Sequence, residues 1–188
     1  MKTRQDLSLS LEAYTSAFPE EQEFVARFLQ LLKNPRAYHR DHLPGHMTGS
    51  AWIIDQSRQY TLLVHHAKLQ RWLQPGGHAD GDENIVAVAR KEAEEETGLQ
   101  KLTLLNPIFD IDIHPIPARK DFPQHDHYDI RCLFMADKNE LLVVSEESHA
   151  VEWIPLKDVA TRSDGNDSIN RMVKKIGMAF SYSHGQQR

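Results

Sequence analysis

The chain has 188 residues and carries 22 Lys and Arg against 27 Asp and Glu, a net charge of −5 at pH 7. With a pI near 6.1, that balance excludes the broad basic field that duplex nucleic acid demands, and no apolar run reaches membrane-spanning length. Cys132 is the sole cysteine, which excludes an intramolecular disulfide and makes a reducing, cytoplasmic setting the expectation.

The length suits one domain over residues 1–188. Residues 11–33 carry Phe24, Val25, Phe28, Leu29, Leu31 and Leu32 at helical spacing, with Pro19 near the start, and Asn34-Pro35 ends the run. This predicts a helical extension over 1–40 that supports the domain or a homodimer. Ala37 to His46 is polar and broken by Pro44-Gly45, so it reads as a loop. Met47 to Asp55 and Tyr60 to His65 are β-rich runs around a turn-like DQSRQ, which predicts a hairpin.

The next stretch, Gly77 to Leu99, reads GHADGDENIVAVARKEAEEETGL. Its residue types predict a glycine-rich turn feeding a helix, capped by Asp80 or Asp82 and ended by Gly98. Spacing of i, i+3 and i+4 puts Glu92, Glu95 and Glu96 on roughly 100° of one helix wall. Hard oxygen donors grouped this way suit Mg²⁺ or Mn²⁺. An exposed acidic helix face would explain Glu94 but not the glycines at both ends of the stretch.

Further along, Leu102 to His114 and His127 to Ala136 read as strands, joined by a Pro-rich and charged surface loop, PIPARKDFPQHD. Val151 to Pro155 reads as the last strand, Ser168 to Phe180 as a terminal helix, and SYSHGQQR as a frayed tail.

The central stretch resembles the Nudix hydrolase signature, G-x5-E-x7-R-E-U-x-E-E-x-G-U. Gly77, Glu83, Glu92, Glu95, Glu96, Gly98 and Leu99 match in register, Ala93 stands at the first aliphatic position, and Lys91 replaces the Arg. The resemblance implies an α/β fold, the Nudix α/β/α sandwich with a mixed sheet, over residues 46–180. It also implies hydrolysis of a phosphoanhydride in a nucleoside diphosphate linked to another moiety, with Glu92, Glu95 and Glu96 holding the metal ions. Lys91 can pair with Glu95 at i, i+4 but lacks the planar fork of a guanidinium. A glutamate serves as general base; Glu96, Glu146, Glu147 and Glu152 are the candidates, and Glu147 is carried forward with the signature glutamates as catalytic. Lys68, Arg71, Arg119, Lys120 and Arg131, with Gly76 and Gly77, are candidate substrate contacts, and Tyr38, Trp72, Phe122 and Tyr128 could stack on a base.

Eleven histidines form a second pattern. Strand alternation would put His125, His127 and Asp129 on one face. Here the chain is similar to the isopentenyl diphosphate isomerases, Nudix-fold relatives with a metal site of three histidines and two glutamates. That resemblance matches His39, His46 and the Gly77-His78 pair, with His127 and Asp129 where the family has its glutamates. It implies a second site of His39, His46, His78, His127 and Asp129 for Zn²⁺, Mn²⁺ or Fe²⁺, while His65, His66, His114, His149 and His184 read as ordinary. The isomerases carry a cysteine immediately before their glycine-histidine pair, and this chain has Gly76 there. Hydrolysis is therefore the main reading. An isomerase-like diphosphate enzyme and a non-catalytic nucleotide sensor are the alternatives.

Overall fold

The computed structural model describes residues 1–120 and 122–181; His184 and most of the expected tail lie outside the described residues. Two helices open the chain, α1 (Arg4–Glu12) and α2 (Pro19–Leu32). The single helix expected over 11–33 is therefore two. Thr3 and Asp6 cap α1 reciprocally, side chain to backbone in both directions, and Pro19 occupies the first turn of α2, where its missing N–H costs nothing.

Strands β1 (Gly45–Asp55) and β2 (Tyr60–His66) form the expected hairpin but pair only at Ile53–Leu62 and Ile54–Thr61. Two short strands unread in the sequence fill in beside them: β3 (Arg71–Leu73) pairs with β2, and β4 (Gly76–His78) pairs with β1. Then come α3 (Ile85–Thr97), β5 (Thr103–Ile116), β6 (His125–Ala136), β7 (Ser148–Pro155), a 3₁₀ turn (Leu156–Asp158), α4 (Val159–Arg162) and α5 (Asp167–Ser181). The sheet runs β3-β2-β1-β6-β5, with β7 on β2. β1 and β6 are parallel and the other pairs antiparallel, so the sheet is mixed.

Alternation along β1 sorts the core. Ala51 and Ile53 face a cluster with Leu7, Leu11, Phe28, Leu32, Val88 and Ala93 from α1, α2 and α3. Trp52 and Ile54 face the opposite cluster, with Val159, Ile169, Met172 and Ile176 from α4 and α5. The result is an α/β/α sandwich with β1 buried along its whole length.

Candidate active site

Helix α3 is delivered by the turn after β4. Its N-cap is Asn84, not Asp80 or Asp82: the Asn84 side chain accepts from Ala87 N (3.3 Å), and Asp82 Oδ1 in turn accepts from Asn84 N (2.8 Å). Asp80 is engaged elsewhere, paired with Arg40. Ile85, Val88, Ala89, Ala93 and Thr97 bury one face, and Gly98 ends the helix at φ 79°, in the left-handed region that favours glycine.

Glu92, Glu95 and Glu96 lie along the remaining wall. Glu96 Oε1 accepts from Gly76 N (2.8 Å). A methyl group on Gly77 would run into the Glu92 carboxylate and displace it. Lys91 Nζ stands 3.6 Å from Glu92 and 3.3 Å from Glu95. Partial burial raises the carboxyls of the half-buried Glu92 and Glu96. Glu96 is pushed up to about 7, with the charges of Glu92, Glu147 and Glu95 adding to the effect and the Gly76 N–H opposing it. Glu92 is raised in the same direction, with Lys91 opposing. Glu147, exposed in the approach to β7, thus bears electrostatically on both. Glu152 is paired instead with Arg162 (2.6 Å). Glu83 is held by the start of α1, where Arg4 N and Nη2 both reach it (3.0 and 2.9 Å).

Arg131, expected against substrate phosphate, is buried instead. Its guanidinium meets Asp129 (2.9 Å), Asp112 (3.0 Å) and Asp110 (3.1 Å), and its side chain is 3% exposed. Arg171 of α5 joins Asp110 and Asp112 at 2.9 and 3.1 Å, and Lys175 joins Glu21 (2.6 Å) and Asp110 (2.8 Å). Asp129, expected as a metal ligand, is consumed by the same network and accepts further bonds from Ser50 (2.8 Å) and Thr48 (3.0 Å). Lys68, Arg71, Arg119 and Lys120 are exposed, and the charges of Lys68, Arg119 and Glu147 all act on His66. Tyr38 is buried in the core, Tyr128 packs edge-on against Phe28 (5.3 Å), Phe122 packs edge-on against His125 (4.9 Å), and Trp72 is half-buried beside His65 (5.1 Å).

Among the described residues, five imidazoles gather at one end of β1, β6 and β5. His46 lies 4.9 Å from His125, 5.1 Å from His127 and 5.2 Å from His78, centroid to centroid; His78 is 5.0 Å and His114 5.5 Å from His127. His39 has no place in this group; it lies on an exposed loop against Gly81. His114 and His125 complete the group instead. The register supplies the reason, because it sets His46 beside His127 and His127 beside His114. Burial lowers His46 to about 4 and His127 to about 2, and lowers His78 as well, with the neighbouring imidazoles adding to each shift. These three rings are therefore neutral at pH 7.

A family model described as the NUDIX domain matches residues 46–176. The chain belongs to the Nudix hydrolase family. A CMP-5'-(N-acetyl-N-hydroxy-3-aminopropyl)phosphonate hydrolase of Streptomyces rubellomurinus is 26% identical over 115 residues, covering 57% of this chain and 51% of that protein. The match thus spans about half the length of this relative. Among solved structures, a C. elegans Ap4A hydrolase binary complex aligns with TM-score 0.59 at 18% identity, over 72% of this chain and 98% of that one. A NUDIX family hydrolase of Clostridium perfringens aligns with TM-score 0.56 at 21% identity, over 71% and 97%. At these identities the two structures speak to the Nudix fold alone. No helix among the described residues is long and apolar enough to cross a membrane.

Proposed function

We propose that this Nudix chain hydrolyses the phosphoanhydride of a small nucleoside diphosphate linked to another moiety, with Mg²⁺ or Mn²⁺ held by Glu92, Glu95 and Glu96. The observation that carries the reading is the crowding of carboxylates on α3. Glu96 is raised to about 7 by burial and by the charges of Glu92, Glu147 and Glu95, a repulsion that a divalent cation relieves and that hard oxygen donors suit. Bound there, the ion would supply charge neutralisation for the diphosphate and acidify a water.

The chain's own groups do the rest. Gly76 N–H holds the Glu96 carboxylate, and the exposed Lys91 lies within ion-pair distance of Glu92 and Glu95. Glu147, whose charge acts on Glu92 and Glu96 from the approach to β7, takes the proton of the attacking water as general base. Lys68 and Arg119, whose charges both act on His66, bind substrate phosphate.

The CMP-phosphonate named for the Streptomyces relative makes a cytidine monophosphate joined to a phosphonate the first substrate to try. The test is phosphorus NMR of CMP-phosphonate, ADP-ribose, nucleotide sugars, Ap4A and nucleoside triphosphates with Mg²⁺, on wild type and Glu96→Gln. Release of a nucleoside monophosphate from one of them, lost in Glu96→Gln, is the expected result. A folded wild type that binds nucleotide but cleaves none would overturn hydrolysis and favour a sensor. An isomerase-like activity has little to work with, since Cys132 is buried on β6 with its thiol pushed up to about 12 and donating to Pro107 O (3.2 Å).

A further inference from the structure

The histidine group has its own chemistry, independent of the hydrolytic reading. Three of the five rings have Nδ1–H committed to an oxygen: His46 donates to His42 O (3.3 Å), His125 to Pro123 O (2.9 Å) and His114 to Asp112 Oδ2 (3.0 Å). A carbonyl can only accept, so the tautomers of His46 and His125 are set and their Nε2 atoms carry lone pairs. His46 is 1% exposed, and Nε2 of His46 and of His127 are buried with no hydrogen-bond partner among the described residues. Buried nitrogens of this kind require an explanation.

Lone pairs directed into one space decide between ligands. An anion needs donors, and His46 and His125, whose Nδ1–H groups are spent on backbone oxygens, offer acceptors instead. A cation is the complement. One nitrogen each from His46, His125 and His127 lie within 4.8 Å of one another. Three nitrogens around a tetrahedral Zn²⁺ at roughly 2.0–2.1 Å stand ~3.4 Å apart, a difference that small side-chain rotations close. We infer that His46, His125 and His127 bind a divalent transition-metal ion of the zinc class, with His78 beside the remaining coordination position.

The outer shell has the form such sites use, with backbone carbonyls fixing the tautomer of ligand imidazoles. His114, anchored on Asp112 and packed edge-on against His127, orients that ring. Asp129, although on the same strand face, is excluded by its bonds to Arg131, Ser50 and Thr48. The site is also distinct from the glutamates. Alternation along β4 sends the Cβ direction of Gly77 toward Glu92 and the ring of His78 toward the other histidines. An all-nitrogen set selects Zn²⁺ or its first-row neighbours over Mg²⁺.

The test uses untagged full-length protein purified without chelator, analysed for metals, then stripped and titrated with Co²⁺ while visible absorption is recorded. One zinc-class ion per chain and the d–d bands of a nitrogen-ligated Co²⁺ site are expected. Both should be lost in His125→Gln and in His127→Gln and kept in Glu96→Gln. Wild type without metal and without Co²⁺ bands overturns the site, as do bands that survive both histidine substitutions or vanish in Glu96→Gln. Should either histidine variant fail to fold by circular dichroism, the wild-type titration still decides, since absent bands there refute the inference outright.

Discussion

At Gly77 one methyl group decides whether Glu92 keeps its position, because an added Cβ would overlap the Glu92 carboxylate. Gly77→Ala should leave the circular dichroism spectrum unchanged and lower kcat by about 100-fold, the usual consequence of displacing a positioning group by an ångström. Lys91 behaves differently. Its side chain is 65% exposed and its contacts with Glu92 and Glu95 are those of a solvated ion pair, worth roughly 0.2–1 kcal/mol. Lys91→Ala should therefore change kcat by less than about tenfold, and Lys91→Arg should restore the difference. A loss as large as that of Gly77→Ala would mean that Lys91 touches substrate. The glutamate wall itself was legible in the sequence, because helical spacing alone puts Glu92, Glu95 and Glu96 together.

Strands β5 and β6 show where such legibility stops. Alternation places His125, His127, Asp129 and Arg131 on one face of β6, and no partner strand is needed to see it. What they touch depends on register. Pairing of Asp112 with Asp129 and Asp110 with Arg131 across β5–β6, closed by Arg171 and Lys175 from α5, turns the Asp129 and Arg131 expected at metal and phosphate into a buried ionic network. Two sequence signs were available: the alternating Asp110 and Asp112, and the i, i+4 pair of Arg171 and Lys175. Neither says that strand and helix meet. Arg171→Met leaves Asp110 and Asp112 short of compensation and should cost about 3–5 kcal/mol, read as a lowered urea midpoint at pH 7. A midpoint within experimental error of wild type would mean that the network contributes nothing net.

Over the whole molecule this network also shapes the acid response. Burial alone would raise the Asp110 carboxyl, but Arg171, Arg131 and Lys175 hold it below its ordinary 3.8. The unfolded chain then binds the proton more readily, so this contribution is complete above pH 3.8 and is lost as the pH falls through the folded value. Urea midpoints should drop steeply below that pH, and the drop should be shallower in Asp110→Asn. The N-terminal helices belong to the same accounting. Leu7, Leu11, Phe28 and Leu32 share a cluster with Val88 and Ala93 of α3, and Arg4 holds Glu83. We expect deletion of residues 1–33 to abolish the single cooperative unfolding transition, and a truncated protein with an undiminished midpoint would make the extension a separate unit. Sequence by itself determined the family, the glutamate-bearing helix and most strands, since helical and strand periodicity and a fixed-spacing motif are local properties of the chain. Only the tertiary structure decided which histidines meet, which aspartates are spent on arginines and what the N-terminal helices cover, because strand register and helix docking join residues up to 161 positions apart, as Tyr14 and Lys175 are, and no local pattern encodes such pairs.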